Sequence, residues 1–105
     1  MSADRDPDTL AAPDCTLEGA GFGAQLARYR RLGRHANSVR RLRGELQVRF
    51  DDDVPAGLLE RTLEVERHCC PFVHGTYDLE ERLLTLTVER LDQEITLDSL
   101  FQALS

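Results

Sequence analysis

The chain has 105 residues, 41% of them hydrophobic, and a net charge of −6; that is one domain, with too much apolar content for a disordered chain and no room for two cores. No run approaches the roughly 20 apolar residues of a membrane span. The start, Met1-Ser2-Ala3-Asp4-Arg5-Asp6, is acidic and polar, without the basic-then-apolar order of a secretory signal.

These features predict a cytoplasmic protein without a membrane partner, in which the three cysteines stay reduced. All thirteen basic residues are arginine. Eight of them (28, 30, 31, 34, 40, 41, 43 and 49) fall between Arg28 and Arg49 against one acid, Glu45, so that segment carries +7 and the remainder −13. Such a charge dipole would steer an acidic protein partner to the Arg28–Arg49 segment, or favour contacts between copies.

Residues 1–15 carry Asp, Pro, Ala and Ser with almost no large apolar side chain. They are expected to form a disordered N-terminal tail, leaving residues 16–105 as a single α+β domain. A first helix is expected over about 21–35, because Phe22, Leu26, Tyr29 and Leu32 recur every three to four residues. The period then changes to two. Leu46, Val48 and Phe50 alternate with Glu45, Gln47 and Arg49, a half-buried strand. Val39 to Arg43 offers a shorter strand before it, with Arg43-Gly44 at the turn.

The second helix has the strongest signals. Asp51-Asp52-Asp53 supplies candidate caps, Pro55 suits the first turn, and Pro71 ends the helix. A hairpin follows, from Thr76 to Glu80 and from Leu83 to Leu91. Thr96 would cap a last short helix with Leu97, Leu100, Phe101 and Leu104 on one stripe. The expected order is α-β-β-α-β-β-α: two hairpins in an antiparallel four-stranded sheet, with the helices on one face.

The chemically suggestive stretch is Glu66-Arg67-His68-Cys69-Cys70-Pro71-Phe72, with His74 just beyond. At roughly 100° per residue, Leu58, Leu59, Thr62, Leu63 and Val65 define an apolar arc that also contains Glu66, Cys69 and Cys70. A carboxylate there must be paired, protonated or bound to a ligand, because a bare buried charge is costly. Glu66 also precedes the two cysteines by three and four residues, which stacks it beside them. Glu66, Cys69, Cys70 and His74 therefore form a candidate soft-metal site suited to zinc, copper(I) or another thiophilic ion. The competing reading makes the cysteines small hydrophobes of the core, pairs Glu66 with an arginine or a backbone donor, and leaves His68 a solvated helix-end residue. Adjacent cysteines diverge by about 100° on a helix, so a shared ion requires the helix to end there. Cys15 falls in the expected tail.

From about Leu26 to Leu104 the chain resembles small uncharacterised proteins of actinobacterial type. They share a helix, a hairpin ending near an Arg-Phe pair (here Arg49-Phe50), a helix closing on Glu-x-x-Cys-Cys-Pro-Phe (here Glu66 to Phe72), and a second hairpin. Val73-His74 departs from a second aromatic pair expected after Phe72. The resemblance implies the same fold and singles out Glu66, Cys69, Cys70, Pro71 and Phe72, but it implies no reaction.

Two further patterns carry little. Gly19-Ala20-Gly21-Phe22-Gly23-Ala24 loosely matches a dinucleotide-binding fingerprint, yet no strand precedes it; it reads as a flexible approach to the helix. The arginines would suit phosphates, but a pI near 5.0 and the lack of a reading module argue against nucleic acid. With no paired carboxylates, phosphate loop or serine-triad signature, no catalytic residue or organic cofactor is assigned. Two functions stay open. One is a small thiol-containing binding protein using Glu66, Cys69 and Cys70. The other is a non-catalytic accessory or dimerisation domain, with Leu97 to Leu104 as a packing element and a homodimer as its simplest assembly. Redox sensing ranks below metal binding, since a thiolate at a helix C-terminus faces the negative end of the dipole.

Overall fold

A computed structural model of the chain describes residues 20–105; the expected tail over 1–15, with Cys15, lies outside the described residues. Alternation in Leu46, Val48 and Phe50 sends three large side chains to one face of a strand, where each is fully buried. Strands β1 (Ala36–Leu42), β2 (Glu45–Phe50), β3 (His74–Asp78) and β4 (Leu83–Thr87) form one antiparallel sheet in the order β1-β2-β4-β3. Register places Val39, Val48, Leu84 and Tyr77 in one row and Leu46, Leu86 and Gly75 in the next. These rows face helices α1 (Ala20–Gly33), α2 (Ala56–Cys69) and α3 (Glu94–Leu104). The alternate rows, such as Arg40, Gln47, Thr85 and Thr76, form the uncovered face.

The α-β-β-α-β-β-α order is as the sequence predicts. Several boundaries differ. β1 begins at Ala36 rather than Val39, with a register shift between Ala36 and Ser38. That irregularity breaks the alternation which would have extended the strand signal. β3 begins at His74 and β4 ends at Thr87. Gly21 and Gly23 sit inside α1 rather than in a loop before it.

The expected caps also differ. α2 starts after Pro55 without a side-chain cap. Asp51 instead accepts a bond from the Asp53 N–H and lies 3.2 Å from His35 Nδ1. α3 starts at Glu94, after a short 3-10 turn at Leu91–Gln93, so Thr96 is interior to the helix. The turn forms because Gln93 Oε1 accepts the Arg90 N–H, which commits the chain to helical geometry ahead of Thr96.

The three helices are not equivalent. α3 covers β1 and β2, α2 covers β3, and α1 packs on both helices. Tyr29 and Leu32 of α1 are fully buried among Leu59 of α2 and Leu97, Leu100 and Leu104 of α3. At its C-terminus α1 presses backbone to backbone on α3, since a Cβ on Gly33 would stand 2.5 Å from the Leu104 carbonyl oxygen. Gly44, at φ +69°, makes the β1–β2 turn, where its carbonyl accepts the Val88 N–H. No helix of the described residues is long and apolar enough to cross a membrane.

Gly33→Ala is expected to destabilise the chain by about 1–3 kcal/mol, because the obstacle is the Leu104 backbone and the α1–α3 crossing must open. Urea unfolding measures this. Unchanged stability would mean that the two helices slide apart without penalty.

Candidate functional site

Gln25 and Tyr29 are one turn apart on α1, and Thr62 and Glu66 are one turn apart on α2. All four are buried, Glu66 to 3% exposure. The two pairs close on each other where α1 meets α2. Tyr29 Oη donates to Glu66 Oε1 at 2.6 Å. Gln25 Nε2 donates to the same oxygen and to the Thr62 carbonyl, each at 3.0 Å. Arg28 Nη1 donates to Gln25 Oε1 at 2.7 Å, so both donors and the acceptor of the Gln25 amide are in use. Thr62 Oγ1 returns its hydrogen to the Leu58 carbonyl.

Burial pushes the Glu66 carboxyl above the usual carboxylate range, opposed only in part by the hydrogen bonds from Tyr29 and Gln25. Burial, followed by the Glu66 charge, holds the Tyr29 phenol well above its ordinary value. The phenol is thus a permanent donor. An acid in the apolar arc of α2 is explained by neutral donors from the neighbouring helix; arginine enters only one step removed, through Gln25. Among the described residues no hydrogen bond reaches Glu66 Oε2.

Of the predicted metal donors, Glu66 lies inside α2 and the others at or beyond its end. Cys69 is its last residue and is half-buried. Cys70 leaves helical geometry at φ −132° and ψ 69°, while its N–H still bonds the Glu66 carbonyl. Its side chain is 4% exposed within the core, and its sulfur is disulfide-bonded. Composition suggests a compartment, whereas disulfide pairing depends on which sulfurs the fold brings within bonding distance.

His74 is exposed and opens β3 opposite Thr87, in the row of Glu45 and Leu42 on the uncovered sheet face. Gly75, next along, faces α2, where an added Cβ would meet Leu63. The sheet thus stands between His74 and Glu66. Among the described residues no group of three His, Cys, Asp or Glu side chains is gathered closely enough to hold a metal ion. His68 is exposed at the helix end, with Nδ1 2.9 Å from the Glu64 carbonyl.

The residues missed by sequence reasoning are Gln25 and Thr62 as hydrogen-bonding partners, and Tyr29 as more than an apolar contact. A signal existed. Gln25 and Tyr29 share the stripe of Leu32, so a donor pair stood on the core face of one helix while an unmatched acceptor stood on that of the next.

A separate open cleft of about 250 Å³ lies at the other end of α2, lined by Val54, Leu59, Tyr77 and Leu79 with Asp52, Glu60 and Arg82 at its polar side. Its nearest lining residue on α2, Glu60, stands more than two helical turns, about 14 Å, from Cys69. Comparison with known protein families, curated proteins and solved structures finds no match.

The folded chain holds the Glu66 proton more tightly than the unfolded chain. Its stabilising share is therefore complete below the ordinary carboxylate pKa of about 4.3 and is lost as pH rises through the elevated folded value. Glu66→Gln keeps an acceptor for Tyr29 and Gln25 and should remove that decline. Glu66→Ala should cost about 1–3 kcal/mol for each buried donor it orphans. Urea unfolding across a pH series reads both. Parallel profiles for wild type and Glu66→Gln would contradict the assignment.

Proposed function

We propose that the chain is a non-catalytic interaction domain in which the end of α2 is structural. The observation that carries this reading is the Glu66 carboxylate. Its Oε1 accepts from both Gln25 and Tyr29, so the acid that seemed reserved for a ligand serves to dock two helices. Core burial and disulfide bonding of Cys70 support the same view. So does the placement of His74 across the sheet.

One observation favours thiol chemistry as a second reading. α2 ends at Cys69, which relieves the angular divergence of adjacent helical cysteines. With Cys70 reduced, the two sulfurs would offer a pair of soft donors for zinc, copper(I) or another thiophilic ion, with Glu66 Oε2 as a third.

Metal analysis of protein purified without chelator, with and without a thiol reductant, separates the two. Wild type and the Cys69→Ser/Cys70→Ser variant are expected to carry equally little metal in both states. Stoichiometric metal in reduced wild type that disappears in the variant would transfer the function to the sulfur pair.

A further inference from the structure

The sheet order leaves β1 at an edge, where one side of a strand of seven residues has no neighbouring strand among the described residues. An open edge is a template for a further strand, and proteins that do not use one usually blunt it. Three features converge on this edge.

The first is charge. Arg34 stands just before β1, Arg40 within it and Arg43 just after it, all exposed. Among the described residues none of the three forms an ion pair, and Arg43 only senses Glu94 at longer range. By contrast Arg41, Arg49, Arg61, Arg82 and Arg90 are each matched with a carboxylate. Unmatched positive charge thus lies within β1 at Arg40 and just beyond each of its ends, a span of about 23 Å for the strand at ~3.3 Å per residue; Arg30, Arg31 and Arg67, also exposed, are likewise without an ion pair among the described residues.

The second is apolar surface. Leu42 is 38% exposed, Leu91 83% and Ile95 71%. Leu91 and Ile95 lie one turn apart on either side of Glu94, close to the end of β1.

The third is rigidity. Glu94 Oε1 accepts from the Gly44 N–H and from Arg41 Nη2, each at 3.0 Å, and Arg41 Nε donates to Asp98 at 2.9 Å. These bonds pin α3, with Leu91 and Ile95, beside the β1–β2 turn. The Gly44 N–H, followed by Arg41, holds the Glu94 carboxyl below the usual range, so this clamp stays charged at neutral pH.

Resting on the interaction-domain reading, we propose that the β1 edge docks an extended, acidic segment of another protein as a fifth strand. Side chains of that segment on the uncovered face of the sheet are carboxylates matched to Arg40, with further carboxylates at its ends beside Arg34 and Arg43. The alternate side chains, on the helix side, are apolar and reach Leu91 and Ile95. Main-chain hydrogen bonds supply affinity, and the alternate side chains supply selectivity. A second copy fits less well. Pairing β1 with β1 would set two arginine rows against each other. The opposite edge, β3, ends in Asp78 with Glu80 and Glu81 in the turn beyond it, but β1-to-β3 pairing is head-to-tail and would build a ring or a filament of copies rather than a two-fold dimer.

Fluorescence anisotropy on the full chain tests this with a labelled synthetic peptide of alternating glutamate and valine, as long as β1, beside its lysine–valine counterpart. The glutamate peptide is expected to bind, to weaken as salt rises, and to lose at least tenfold in affinity on Arg40→Glu/Arg43→Glu. Leu91→Ser/Ile95→Ser should weaken it without changing the salt dependence. Amide exchange should slow over residues 36–42. All four residues are exposed, and circular dichroism checks that the variants fold.

Absence of binding, indifference to charge reversal, or equal binding of the lysine peptide overturns the proposal. So does a single-stranded oligonucleotide that binds more tightly and is lost in the same variant. A concentration-dependent polymer in sedimentation, abolished by the charge reversal, gives the edge to a second copy instead. If the peptide fails while the metal analysis shows no thiol-dependent ion, only the docking surface is wrong. If that ion is present, the interaction-domain reading itself falls, whatever the peptide does.

Discussion

A single buried carboxylate decides how the helical layer assembles. Glu66 occupies the centre of the apolar arc of α2, and a helix with an unmatched acid there could not be buried at all. Tyr29 and Gln25 supply the donors from one turn of α1. Hydrogen bonds are directional where apolar contact is not, so this cluster fixes the register of α1 on α2. Gln25 strengthens the lock, because the same amide also holds the Thr62 carbonyl and is itself oriented by Arg28. Once α1 is placed, its far end meets α3 at Gly33, where only a glycine leaves room for the Leu104 backbone.

The same constraint accounts for the cysteines. Thr62, Glu66 and Cys70 follow one another at intervals of four residues on the buried side, so Cys70 is carried into the core with Val73 while Arg67 and His68 stay exposed. In three dimensions the end of this helix is tied to α1 by the bonds from Tyr29 and Gln25 to Glu66. His74 cannot join it, because β3 starts at that residue and the alternation of a strand sends it to the opposite side of the sheet.

Charge is organised by a second cluster on the other side of the molecule. Glu94 gathers the Gly44 N–H and Arg41 at the β1–β2 turn, attaching α3 to the first hairpin much as Glu66 attaches α1 to α2. Arg41 is consumed by this clamp, whereas Arg34, Arg40 and Arg43 remain at the surface. The basic segment is therefore divided into structural and available arginines, a distinction that net charge conceals. Of the available ones, Arg40 lies in β1 and Arg34 and Arg43 flank it, while Arg30 and Arg31 lie on α1.

The number, type and order of the elements were legible in the sequence, because a period of two in Leu46 to Phe50 and of three to four in α1 and α3 reflects local geometry that any burial must obey. The single core and the inward position of Glu66 were legible for the same reason. Boundaries were less so. Asp51 is drawn to His35 and the Asp53 N–H instead of capping α2, and Gln93 starts a turn that overtakes Thr96; these are choices between competing local partners. Only the tertiary structure decided what Glu66 binds, which side of the sheet His74 occupies, and which arginines are spent. Those outcomes depend on contacts such as Gln25 with Glu66, 41 residues apart, and a periodic pattern names the face a residue occupies without naming what lies opposite.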